Sequence, residues 1–111
     1  MEIDREQRDG IDVIAPVGRV DSNTARDLES ALLPAFDGGR KVIVDFSRLT
    51  YISSAGLRVL LLAAKQSKAK AADLALAGMT PQVREVFTIS GFAKLFRIYP
   101  DASAAVSDLN G

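Results

Sequence analysis

The sequence predicts an α/β fold: one domain spanning residues 1–111, with a mixed, mostly parallel sheet of about four to five strands and about four helices. Three observations carry this. Val42, Ile43 and Val44 form a short, wholly apolar run that ends on Asp45, the pattern of a strand buried on both faces. Helical spacing flanks that run, with Ala25, Leu28, Leu32 and Phe36 before it and Leu57 to Ala64 after it. The resulting strand–helix–strand order makes a βαβ unit, whose strands run parallel through a right-handed connection. The third observation is Asp9-Gly10, a hairpin turn that adds an antiparallel strand at the N-terminus.

Taken in order, Ile3 to Arg8 alternate weakly and are mostly charged, as suits an edge strand guarded against aggregation. Ile11, Val13, Ala15 and Val17 alternate with polar or small residues and make the second strand. Pro16 lacks a donor and belongs at that strand's end. Gly18 to Asp21 reads as a turn, and Ser22 or Asn23 as the cap of the first helix. Pro34 disturbs the last turns of that helix, and Gly38-Gly39 stop it. After the Val42–Val44 strand, Ser47 to Ser53 reads as a connector pinned by Leu49 and Ile52. Ser54 is expected to cap a second helix running from Ala55 to about Ala69, apolar in its first half and basic in its second. Asp73 to Ala77 is a further strand. Thr80 with Pro81 opens a third helix with Val83, Val86 and Phe87 inward, and Gly91 ends it. Leu95 to Ile98 give a short last strand, and Asp101 opens a C-terminal helix with Ala105, Val106 and Leu109 on one face.

Composition narrows the chemistry. There is no cysteine, which removes disulfides and thiolate metal sites and fits a cytoplasmic location. There is no histidine either, so a Ser-His-Asp triad and the commonest transition-metal ligand are gone. Fourteen basic and fourteen acidic residues cancel, leaving no net field for nucleic acid or an anionic membrane. The apolar runs are too short to cross a bilayer, so no membrane insertion is expected.

Parallel strands place Asp21, Asp45 and the loop bearing Ser54 beyond carboxyl ends, where open α/β sheets carry their sites. Each has a structural reading: Asp21 as a turn or helix cap, Asp45 as an acceptor for the loop after it, Ser54 as an N-cap. Ser54 lacks a histidine base, and Ser53-Ser54-Ala55-Gly56 is not a nucleophile elbow, so no enzyme activity is expected. The two aspartates lack the strand-end lysine and adjacent acidic pair of a Mg²⁺-dependent phosphoacceptor, and no metal or cofactor is expected. Gly38-Gly39-Arg40-Lys41 precedes a strand instead of opening a helix, which is the wrong context for a phosphate loop. Lys65, Lys68 and Lys70 complement a helix C-terminus.

The segment Val44-Asp45-Phe46-Ser47, followed by Tyr51-Ile52-Ser53-Ser54-Ala55-Gly56-Leu57, resembles the signature of STAS domains, in particular bacterial anti-sigma factor antagonists. The resemblance extends to Gly18-Arg19-Val20-Asp21 and to Val86 through Phe92, continued by Leu95-Phe96. It implies a STAS-like domain that binds an anti-sigma factor, itself a serine protein kinase, and that a serine phosphatase restores after phosphorylation. The family's phosphorylated serine falls on Ser54, and its preceding aspartate is Ser53 here, which makes Ser53 the competitor for modification. Asp21, Asp45 and Gly56 are then supports of the site, and Ser22, Thr24, Ser53, Ser54, Leu57 and Arg58 the partner-binding residues. A monomer is expected. The alternative that the resemblance leaves open is a constitutive scaffold subunit of a membrane transport ATPase complex, with Ser54 as a cap only.

Overall fold

Alternating side chains on the central strands divide the molecule into layers. The structure, a computed structural model, describes all residues from Met1 to Gly111. Strand β1 (Ile3–Arg8) turns at Asp9-Gly10 into β2 (Ile11–Pro16) and pairs with it antiparallel, Ile3 opposite Pro16 and Arg8 opposite Ile11. Both turn residues have positive φ, 52° and 81°, as the hairpin reading required. Pro16 closes β2, where its missing donor costs no ladder bond.

Strands β4 (Lys41–Asp45), β6 (Asp73–Ala77) and β7 (Arg97–Tyr99) join β2 in parallel, giving a five-stranded sheet in the order β1-β2-β4-β6-β7. One face of this sheet, carrying Ile14, Val42, Val44 and Leu76, packs under three helices: α1 (Ala25–Leu32), α2 (Ser54–Ala69) and α3 (Pro81–Ser90). The other face presents Ile11, Val13, Ile43, Ala75 and Ala77 to Ala105 and Val106 of α4 (Ala102–Asn110). Val42, Ile43 and Val44 are each fully buried because both faces are covered, which is why the run is continuously apolar.

Helix starts and stops follow the side chains. The Thr80 hydroxyl accepts a hydrogen bond from Val83 N at 3.3 Å, and Pro81 occupies the first turn of α3. Asp101 accepts from Ala104 N at 2.8 Å at the start of α4. Pro34 ends α1 by converting its continuation into a 3-10 turn, Leu33–Phe36, that still buries Phe36.

Five expectations need correction. Gly18–Val20 is strand β3, not a turn, and Leu49–Ile52 within the expected connector is strand β5; the two pair in parallel as a separate small sheet. Their burial of Val20, Leu49 and Ile52 against the helices fixes them, a tertiary effect that three or four residues of pattern do not announce. Ser22 and Asn23 do not cap α1: its N-cap position is Thr24, without a side-chain cap bond, and Asp21 holds the turn that precedes it, as described below. Ser54 is the first residue of α2, and the extended cap position belongs to Ser53. Finally, Phe92–Leu95 form a 3-10 turn and the last strand begins at Arg97.

Candidate functional site

Strand β3 leads into Asp21, and strand β5 leads into Ser53 and Ser54. Their parallel pairing therefore brings the two chain ends together: Ser53 N donates to Val20 O at 2.8 Å. The first turn of α2 sits directly on this small sheet, at Gly56. A Cβ there would lie 2.6 Å from Ile52 Cγ1 and 2.7 Å from Val20 Cγ1, so only glycine admits that approach.

Asp21 builds its own side of the site. Its Oδ1 accepts from Asn23 N at 2.9 Å and Thr24 N at 3.3 Å, while its backbone O accepts from Ala25 N at 2.8 Å. Asp21 N in turn donates to Thr24 Oγ1 at 2.9 Å, a reciprocal arrangement of the capping-box kind. The Thr24 hydroxyl donates back to Arg19 O at 2.9 Å, tying the loop to β3. Ser22 is exposed within this turn, and Thr24 is half-buried with its hydroxyl engaged.

The two serines differ. Ser53 has φ −95° and ψ 177°, extended values that turn its side chain inward; its Oγ is sealed from solvent and has no hydrogen-bond partner. Ser54 is exposed at the first position of α2. Neither side chain caps the helix, so the backbone N–H groups of the first turn and the positive end of the dipole face outward beside the Ser54 hydroxyl. Further along α2, Arg58 is exposed one turn on, whereas Leu57 is 5 % exposed and belongs to the core. Leu57, expected at the partner face, thus seats the helix and cannot reach a partner.

Asp45 stands apart from this group. Its Oδ1 accepts from Ser47 N at 3.0 Å and lies against Gly78, where a Cβ would come within 2.6 Å of it. Phe46 N donates to Ala77 O at 2.8 Å, so Asp45 shapes the exit of β4 beside β6. The expected convergence of Asp21, Asp45 and Ser54 therefore splits: Asp21 joins Ser54, and Asp45 supports the far end of the loop.

One feature of the site had no signal in the pattern. The Arg19 guanidinium carbon lies 4.3 Å from the centroid of the Tyr51 ring, across the β3–β5 pair, and Arg19 Nε is 4.0 Å from Asp21 Oδ2. Tyr51 is 40 % exposed, so this stacked pair forms part of the outer surface. Only the pairing of the two short strands brings the residues together. Elsewhere in the chain Phe46 is fully buried and Phe92 half-buried, so neither adds a ring to this surface as open as that of Tyr51.

The geometry is a displayed hydroxyl at a helix start, framed by an aspartate-capped loop and an exposed arginine. The STAS domain model matches residues 2–105. A protein of Bordetella bronchiseptica named "Putative anti-sigma factor antagonist BtrV" is 43% identical over 108 residues, covering 96% of this chain and 93% of its own length. Among solved structures, an anti-sigma factor antagonist from Mycobacterium paratuberculosis superposes with a TM-score of 0.90 at 22% identity, covering 99% of this chain and 94% of that one. The unphosphorylated form of the anti-sigma factor antagonist SpoIIAA gives 0.82 at 23% identity, covering 99% and 97%. At these identities the two structures speak for the fold; the family match and the Bordetella relative carry further, and on them the chain belongs to the STAS domain family.

Proposed function

We propose that this protein is an anti-sigma factor antagonist of the partner-switching kind, a binding module and not an enzyme, written on and erased at Ser54. The unmodified face, formed by Ser54 with Ser22, Thr24 and Arg58, docks on an anti-sigma factor that is itself an ATP-using serine kinase, and docking frees the sigma factor. The kinase phosphorylates Ser54, the complex separates, and a serine phosphatase restores the hydroxyl. The protein works in the cytoplasm as a monomer. The 43%-identical relative bears the name of such an antagonist, which supports the role.

The observation that carries the reading is the contrast between the paired serines: Ser54 exposed on the first turn of α2, Ser53 Oγ sealed. A kinase needs the nucleophilic oxygen in its own active site, and only Ser54 offers one without unfolding the loop. Phosphate adds roughly −1.5 to −2 charge at neutral pH. At a docked interface that charge must be desolvated, which lowers affinity by roughly a hundredfold or more. A helix N-terminus accommodates phosphate readily, so the fold itself is preserved.

The test is a pull-down from the native cell with wild-type, Ser54→Ala and Ser54→Asp baits. We expect wild type and Ser54→Ala to capture a soluble histidine-kinase-like ATPase, and Ser54→Asp to lose it by roughly a hundredfold or more. Mass spectrometry after treatment with the captured kinase should place the phosphate on Ser54; a phosphate on Ser53 would overturn the assignment. Capture of a membrane transport ATPase, equally by all three baits, would instead establish the constitutive scaffold.

A further inference from the structure

Resting on the reading that Ser54 carries the phosphate, we infer that Arg58 is the built-in partner of that phosphate, a guanidinium held one helical turn away to bind it within the same chain. Three features of the structure converge on this. Ser54, Arg58 and Leu62 are all exposed and follow one another at intervals of four, so they lie along one outward stripe of α2. Side chains on a helix lean toward its N-terminus, which aims Arg58 back over the turn that bears Ser54. Arg58 takes part in none of the seven salt bridges of the molecule. The other cation of this surface, Arg19, is already committed to the Tyr51 ring and Asp21.

Order along the helix matters. An anion four residues N-terminal to a cation is the favourable arrangement, and the anion at Ser54 also lies at the positive end of the helix dipole. Guanidinium presents a planar fork to phosphate oxygens, which a lysine at the same position lacks. The pairing gives the switch a second half. Phosphorylation adds an anion to the docking face and, in the same event, occupies the arginine that the unmodified face displays. A partner surface with acidic groups opposite Arg58 therefore loses an attraction as it meets a repulsion.

The test uses full-length protein with phosphoserine genetically encoded at position 54, so it does not depend on any kinase. Phosphorus NMR follows the second ionisation of the phosphate against pH in the wild-type background, Arg58→Gln, Arg58→Lys and the control Lys65→Gln. Lys65 is exposed on the same helix but about three turns from Ser54. A nearby guanidinium favours the dianion, so the second pKa should be lower with arginine present. We expect Arg58→Gln to raise it by roughly 0.15 to 0.4 of a pH unit at low salt, Arg58→Lys to recover part of the difference, and Lys65→Gln to leave it in place. The difference should shrink at 1 M salt, where the Debye length falls to about 3 Å. Equal pKa values with and without Arg58, or the same shift from Lys65→Gln, would overturn the inference. Failure of the kinase to modify Ser54 in the separate labelling experiment would instead strike the functional reading and leave this measurement standing.

Discussion

The side chain of Ser53 leaves an extended backbone and that of Ser54 begins a helix, so one step along the chain carries the hydroxyl from the interior to the surface. A sealed hydroxyl without a partner stabilises nothing and carries a desolvation cost. Ser53→Ala should therefore change the unfolding free energy by no more than about 0.5 kcal/mol, or raise it, in urea titration. A loss above about 1 kcal/mol would mean that the Ser53 Oγ has a bonded partner after all. Asp21 is the opposite case, since it holds two backbone N–H groups of the Asn23–Thr24 turn. Asp21→Ala should cost about 1 kcal/mol in the same titration, the usual net worth of a hydrogen bond lost from such a turn. Its role in the turn was legible from its place before a helix, where the sequence left a turn and a cap both open. The resemblance favoured Ser54 and kept Ser53 as competitor; that the Ser53 oxygen is sealed had no signal in the pattern, because it depends on which way each side chain faces.

Helix α2 owes its position to Gly56, and the sign of a substitution there separates local propensity from packing. In an isolated helix, glycine to alanine gains about 1 kcal/mol. Here the added Cβ would meet Ile52 Cγ1 at 2.6 Å and Val20 Cγ1 at 2.7 Å, far inside van der Waals contact, and both neighbours are themselves buried. Gly56→Ala should thus destabilise the protein by about 1–3 kcal/mol, seen as a lower urea midpoint at unchanged slope. A stabilised variant would show that α2 does not rest on β3 and β5 as described. The helix itself was plain in the sequence, as were the main strands, because their apolar periodicity extends over many residues. Strands β3 and β5 were hidden for a physical reason: each is short, and the signal that makes them strands is burial of Val20, Leu49 and Ile52 beneath helices contributed by distant parts of the chain. The Arg19–Tyr51 stack went unseen with them.

At the scale of the whole molecule, the core closes without any contribution from Ser54. Phe87 ties α3 into the core, its ring centroid 6.1 Å from that of Phe46 and 6.0 Å from that of Phe96, and Ser54 is not among the sealed side chains. The layered architecture was readable from the alternation of strands and helices, and so was the resemblance that led to Ser54. What pattern could not supply was the separation of Asp45 from Asp21, because two strand ends that look equivalent in sequence belong here to two different sheets. That separation bears on the proposed switch. A phosphate on Ser54 would meet only the small-sheet side, so the Asp45–Gly78 corner and the five-stranded sheet would have no reason to move. Encoded phosphoserine at position 54 should therefore leave the amide-exchange protection of β4 and β6 unaltered and shift the melting temperature by less than about 3 °C, since about 1 kcal/mol corresponds to 4–8 °C in a domain near this size. Phe87→Ala provides the contrast, with an expected loss of about 3–5 kcal/mol and protection reduced throughout. If the phosphoserine protein lost protection along β4 and β6 as the Phe87 variant does, charge at Ser54 would be acting by loosening the fold, and a local steric and electrostatic switch would have to be abandoned.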